Sequence, residues 1–442
     1  MRSTPQSATS APTSRRVIWL LAMVSLVGYA LRSNITIAQE YMAPDLGLSM
    51  AQMGVISAWG FQLSYAVFQI PGGFLGDRYG ARMILGVAVV GWSVASLASG
   101  SVVAGAGVAF ATLFLTRVLL GVAQAATYPV SAMAAAQFVP EQQRVGASSI
   151  YLAAASLGSA LAPLLLAPLM VWAGWRAVFL ASAVVGLVTA TVWFLLAPRR
   201  PRPTGTQRYV PLGEQLRTFS RLLKHRPLLI LSTSYLLHSA VYFVFVFWFF
   251  RYLIEARGFS LLASGVWGSV PHFMSFALAP LVGLGADRLA RKMLPAVARR
   301  RVAMTCLSVA AAFVLIGANL PTPTLAIAAL GISVACLVSC EAPYWTATTA
   351  LARDSAGSAG GVLNLMGNLG GVLSIWLVPI MKDAWGWTLM LAFWAGVALL
   401  AAVLWSFTGE PEATRQEGCP RNSISSATHQ TLSGPPPPSA QP

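Results

Sequence analysis

Charge is what this 442-residue chain lacks most: only 10% of its residues are charged, and its acids number 13 against 29 Lys and Arg. Soluble domains carry about a quarter charged residues, so a water-soluble enzyme and a charge-rich disordered chain are both excluded. Cysteine is scarce too. Cys306, Cys336 and Cys340 lie inside apolar runs and Cys419 in a polar tail, which leaves neither a disulfide framework nor a metal cluster. Cys336 and Cys340 stand one helical turn apart, but no further ligand is near them in sequence, and packing explains them. No GxxxxGKS or GxxxxGKT loop occurs, which removes a nucleotide-driven pump. No nucleophile and base converge, so neither a membrane enzyme nor a bound cofactor is expected.

What is present is apolar length. Hydrophobic residues make up 56% of the chain and the mean hydropathy is +0.68. Twelve candidate spans run near 17–38, 54–74, 83–102, 109–130, 147–171 and 177–197, then 228–253, 261–285, 302–320, 324–349, 357–381 and 388–408. The net charge of +16 is not a nucleic-acid footprint. Most of the Lys and Arg fall in the N-terminal arm, the loops after even-numbered helices and the C-terminal tail. That is the positive-inside pattern, and it predicts a multi-pass inner-membrane protein with both termini cytoplasmic. Arg15 and Arg16 precede an apolar run long enough to span, with no small-residue cleavage site, so a signal peptide is not read here.

The predicted organisation is a disordered arm (1–16), a six-helix bundle (17–197), a basic linker (198–227), a second six-helix bundle (228–408) and a disordered tail (409–442). The linker holds PRRPRP, which cannot be embedded, and its cations are expected to meet anionic lipid headgroups. The two bundles repeat. GGFLGDRYGAR closes helix 2 with Gly73, Asp77, Arg78 and Arg82, and VGLGADRLARK brings Gly283, Asp287 and Arg288 after helix 8, each 210 positions on. Trp175 of AGWRAVF likewise recurs as Trp387 of WGWTLML. Internal duplication of this kind places a transported substrate between the halves. At each GxxxDR corner the glycine admits a neighbouring helix and the Asp can receive a helix N-terminus or an arginine, as a gate requires; a tight turn held by charge is the alternative, and two copies at equal spacing favour the gate.

Over about 17–408 the chain resembles the major facilitator superfamily and, within it, the anion:cation symporter family of organic-anion transporters. The resemblance is carried by SYAVFQIPGGFLGDRYGAR, TRVLLGVAQAATYP, AGWRAVF, FVFWFFRYLIEARGFS and NLMGNLGG. It implies that Arg32 contacts the substrate anion, that Tyr65 faces the substrate, and that Arg117, with Gly121, takes part in coupling. It also exposes a departure. Proton-coupled members carry an Asp before the helix 1 Arg and a Glu on helix 4, where this chain has Leu31 and Gln124. Coupling through another group, anion exchange and facilitated diffusion all remain open.

Ionisable groups inside a span cost a few kcal/mol on insertion scales, so each is a site hypothesis. Arg32, Arg117, Arg251 and Glu341 are the embedded charges, and their balance suits an anion. On helix 1, Ser25, Tyr29, Arg32 and Thr36 follow helical spacing and form one polar stripe. A guanidinium there offers a fork for a carboxylate, and a structural or snorkelling arginine is the alternative. Asn364 and Asn368 stand one turn apart among glycines on helix 11, fit either for substrate hydroxyls or for joining helices. His238 is either a proton carrier or hydrogen-bond donor, or a satisfied core histidine. Arg117 is a coupling group or one half of a structural pair, and Glu341 either titrates or pairs with an embedded arginine. Arg251 is read as an interfacial anchor.

The expected protein is therefore an all-α membrane protein of twelve transmembrane helices in two pseudo-symmetric six-helix bundles. It is expected to work as a monomer that moves a small organic anion, a sugar acid or related carboxylate, with a coupling proton or counter-anion. The rival readings are an exporter of drugs or lipophilic metabolites, suggested by the aromatic helix 7, and a non-transporting membrane sensor.

Overall fold

The computed structural model describes residues 11–103, 105–199, 220–222, 224–352 and 355–409, and these form helices joined by short turns. Ten stretches are long and apolar enough to cross a membrane. The last of them, Ala356–Trp405, is divided at Gly386, and the run from Met50 to Tyr79 supplies one more crossing in short pieces. The crossings are helix 1 (Ala11–Arg32 continued by Asn34–Leu46), helix 2 (Met50–Val55, Ile56–Leu63, Ser64–Val67 and Gln69–Tyr79), helix 3 (Ala81–Gly100) and helix 4 (Ala106–Ala125 with Thr127–Phe138). Helices 5 and 6 share Arg144–Leu196, divided at Gly174. Helix 7 is Arg226–Arg257, helix 8 Leu261–Ala290, helix 9 Pro295–Asn319 and helix 10 Pro323–Leu351, and helices 11 and 12 share Ala356–Trp405.

Local chemistry sets the helix ends. Proline opens helices 7, 9 and 10, where its fixed φ suits a first turn and its missing N–H has no partner to lose. Ser49 and Gln52 form a reciprocal capping box at the start of helix 2. The turns between helices 5 and 6 and between helices 11 and 12 are made by Gly174 and Gly386, at φ 79° and 74°. A side chain is strained at such angles, which explains why glycine precedes the repeated Trp175 and Trp387.

Helix 2 is the irregular one. Ile56–Leu63 is wound as a π-helix, and Phe68, at φ −84° and ψ 3°, interrupts the chain again. π-turns inside α-helices concentrate at functional sites.

Each crossing reverses direction, so the turns at Gly80, 139–143 and 291–294, the end of helix 10 at Leu351 and the start of helix 11 at Ala356 share one face with Ala11 and Trp405. On this termini face the two halves meet closely. Helix 2 lies against helix 11, where a Cβ on Gly73 would strike the Gly357 carbonyl and one on Gly361 would stand 2.7 Å from the Gln69 oxygen. Helix 5 lies against helix 8, with Gly283 against Ser149. The buried Arg299 of helix 9 reaches Glu141 across the same junction, 3.3 Å away.

One sequence expectation needs amendment. The arm expected to be disordered through residue 16 is helical from Ala11, and Ser14 donates a hydrogen bond to the Phe138 carbonyl at 2.6 Å. That bond and the burial of Val17 tie the first turn down. The basic linker falls largely, and the C-terminal tail almost wholly, outside the described residues.

Candidate functional site

A cavity of about 640 Å³ lies between the halves and extends toward the face opposite the termini, as far as Gln39, Gly54 and Phe247. Arg32 sits in it. The Arg32 guanidinium lies 4.4 Å from the Phe61 ring centre, 5.3 Å from Tyr65 and 5.7 Å from Tyr29, a cation–π surround that holds it in place. Its Nη2 donates to Gln62 Oε1 at 3.0 Å. Among the described residues no carboxylate stands within ion-pair distance of it.

From Gln62 a relay crosses between the halves. Gln62 Nε2 donates to Asn368 Oδ1 at 2.9 Å, and Asn368 Nδ2 donates to the Asn364 carbonyl at 2.8 Å. Asn364 Nδ2 in turn donates to Gln69 Oε1 at 2.9 Å and to Tyr65 Oη at 3.4 Å. Arg32, Tyr29, Tyr65, Asn364 and Asn368 thus share one cavity, as the polar patterns of helices 1 and 11 require. Gln62 joins them, while Gln69 is buried and holds Asn364 from outside the cavity. Gln62, Tyr65 and Gln69 follow 3 and 4 spacing on helix 2, a signal as readable as the helix 1 stripe. The aromatic wall is completed by Tyr128, Tyr235, Tyr242, Phe243 and Trp345.

The remaining candidates are distributed differently. His238 is fully buried behind that wall, stacked on Tyr235 at 5.4 Å, with Nε2 at 2.9 Å from the Leu337 carbonyl. It does not line the cavity, so a direct substrate contact by His238 is not made in this conformation. Glu341 does line it. No arginine or lysine among the described residues pairs with Glu341, and the sequence alternative of an embedded ion pair is therefore not formed here. Arg117, 2% exposed, donates to Ser99 Oγ at 3.3 Å and Asn34 Oδ1 at 3.5 Å, again with no acid within ion-pair distance among the described residues. Gln124 lies behind Tyr29 in a small niche with Ser25, Trp92 and Thr127, and its Nε2 donates to the Gly28 carbonyl at 3.1 Å.

The GxxxDR corners are both engaged across the halves. Asp77 accepts from the backbone N–H groups of Gly357 and Ser358, each at 2.8 Å, and from Ser358 Oγ at 2.6 Å, and so caps helix 11. Asp287 accepts from the Gly146 N–H at 3.0 Å, at the start of helix 5. A carboxylate at a helix N-terminus meets free donors and the positive end of the dipole. Of the basic members, Arg82 braces helix 3 on the Phe194 carbonyl, Arg78 lies 5.0 Å over the Tyr79 ring, and Arg288 is exposed. At the opposite face Arg251 pairs with Glu255, as an anchor would. Arg176 and the Trp175 indole donate to Asp45 at 2.7 and 2.9 Å, which holds that carboxyl below the usual carboxylate range.

A cavity between two related bundles, closed at one face by reciprocal helix caps, is the working part of a secondary transporter. The Major Facilitator Superfamily profile matches residues 18–375, and the chain belongs to that superfamily. The chain is 27% identical to the hexuronate transporter of Bacillus subtilis (strain 168), covering 84% of this chain and 88% of that one. It is 26% identical to the D-galactonate transporter of Escherichia coli O6:H1, covering 89% and 96%. Among solved structures it resembles the proton:xylose symporter XylE at a TM-score of 0.71, with 15% identity and coverage of 90% and 96%. That last likeness bears on the fold.

Proposed function

We propose that this protein is a secondary transporter that carries a small organic anion, a sugar acid or related carboxylate, by alternating access, with Arg32 binding the carboxylate. The observation that supports this most directly is the Arg32 guanidinium in the central cavity, held by three rings and one amide and without an acidic partner among the described residues. Charge-assisted hydrogen bonds to a carboxylate complete its donor set. The amides of Gln62, Asn364 and Asn368 suit the hydroxyls of a polyol acid. Relatives named for hexuronate and D-galactonate transport favour the same cargo over a lipophilic one.

The positive-inside pattern orients the termini toward the cytoplasm of the inner membrane, so the cavity faces outward in this conformation. Energy comes from a coupling proton or a counter-anion, the protein acts as a monomer, and its cationic loops rest on anionic lipid. Purified protein should be stabilised against heat by hexuronates, D-galactonate or galactarate. Arg32→Ala should weaken that binding on the order of a hundredfold, the size expected for losing charged hydrogen bonds worth about 1.5–3 kcal/mol each. An equal response from wild type and variant would remove Arg32 from the site.

A further inference from the structure

Three embedded charges line the central cavity, and two of opposite sign, Arg32 and Glu341, do not meet. Arg32 projects from helix 1 and Glu341 from helix 10, both line the same space, and neither has an ion-pair partner among the described residues. Glu341 also receives no hydrogen bond from a described residue, although it is only partly exposed. A carboxylate so placed is costly as an ion unless a cation or a proton answers it.

Other groups around Glu341 do not serve. Arg32, with Tyr29, faces the cavity from helix 1, Tyr65 from helix 2, Arg117 and Tyr128 from helix 4, and Tyr235 and Tyr242 from helix 7. Tyr151 of helix 5 stands beside Tyr128, and helix 11 offers only the amides of Asn364 and Asn368. On the far side of helix 10, Cys340 turns to the Ala303 carbonyl of helix 9 and Tyr344 to Ser234. His272 of helix 8 also lines the cavity, and its imidazole is a second group able to take up a proton.

We propose that Glu341 is the proton-binding group of the transport cycle, taking up one proton from the outer solution when the anion binds and releasing it with the anion on the other side. This rests on the organic-anion reading above. The step balances in charge. The empty cavity sets Glu341 carboxylate against the Arg32 guanidinium, and the loaded cavity sets the anion against Arg32 with Glu341 as neutral carboxyl. Arg117 keeps its charge in both. For a monocarboxylate, both the loaded and the empty protein then turn with the same net charge in the cavity, so transport is electroneutral. An anion arriving beside an ionised Glu341 would instead add a second negative charge to the cavity, where Arg117 is 2% exposed and engaged by Ser99 and Asn34.

The test is proton uptake by purified wild-type protein in weak buffer on addition of galacturonate, D-galactonate or galactarate, with affinity followed against pH. One proton per bound monocarboxylate is expected, with affinity falling tenfold per pH unit wherever Glu341 is ionised in the empty protein. Glu341→Gln should bind without proton uptake and with an affinity independent of pH. In vesicles it should keep anion counterflow while losing accumulation driven by a proton gradient.

Wild-type binding with no proton uptake at any pH overturns the proposal whether or not the variant folds, and points to a cargo with its own cationic group or to anion exchange. Uptake that survives Glu341→Gln and is lost in His272→Gln also overturns it. If none of the acids binds wild type at any pH, the organic-anion reading itself fails.

Discussion

The two faces of the molecule are held by different chemistry. At the termini face the bonds cross between the halves: Asp77 to the start of helix 11, Asp287 to the start of helix 5, Arg299 to Glu141. At the opposite face the ion pairs among the described residues stay within a half, Asp45 with Arg176 in the first and Glu255 with Arg251 and Lys382 in the second. One face is therefore latched and the other only stiffened. A rocking transporter needs this asymmetry, because crossing contacts must break when the cavity reopens on their side, while contacts inside a half travel with it.

The largest disturbance of that contrast is steric. Gly73→Val places a side chain in the Gly357 backbone, and uptake into vesicles should fall on the order of a hundredfold, from overpacking that costs about 1–3 kcal/mol. Unchanged uptake would mean that helices 2 and 11 need not touch during the cycle. Asp77→Asn is milder, since an amide oxygen still accepts but the charge is gone. Backbone hydrogen exchange at Gly357 and Ser358 should quicken about tenfold, in line with roughly 1 kcal/mol for a charged cap. Asp287→Asn should do less at Gly146, where the Asp77 pattern of two N–H groups and a hydroxyl is not repeated in full. Smallest of all is Arg176→Ala. It removes an exposed pair within one half, and should leave exchange at Gly357 and Gly146 as in wild type. Faster exchange there would show that the stiffened face also bears on the latch.

Much of this arrangement was readable from residue order. The apolar runs mark the crossings, the two GxxxDR corners mark the latches, and the helix 1 stripe brings Tyr29 and Arg32 into the cavity. What sequence could not supply is rotation about a helix axis. His238 stood out as an ionisable group in helix 7, but Tyr235, Ser239, Tyr242 and Val246 define the face that lines the cavity, and His238 lies just off it. Gln62 was overlooked although its spacing to Tyr65 and Gln69 was readable, because an amide in an apolar run draws less notice than an ion. The partners of Glu341 were undecidable because an ion pair depends on which helices become neighbours, and helix 10 faces several.

Both latch aspartates close on main-chain N–H groups, and the Ser358 hydroxyl adds to one of them. Amide hydrogens are the same whatever amino acid carries them. The segments beginning helices 5 and 11 are consequently free to drift in composition without unlocking the protein, provided that Gly146 and Gly357 stay bare, since a Cβ on either would press on the aspartate it serves. Relatives should vary most around these two glycines and least at them.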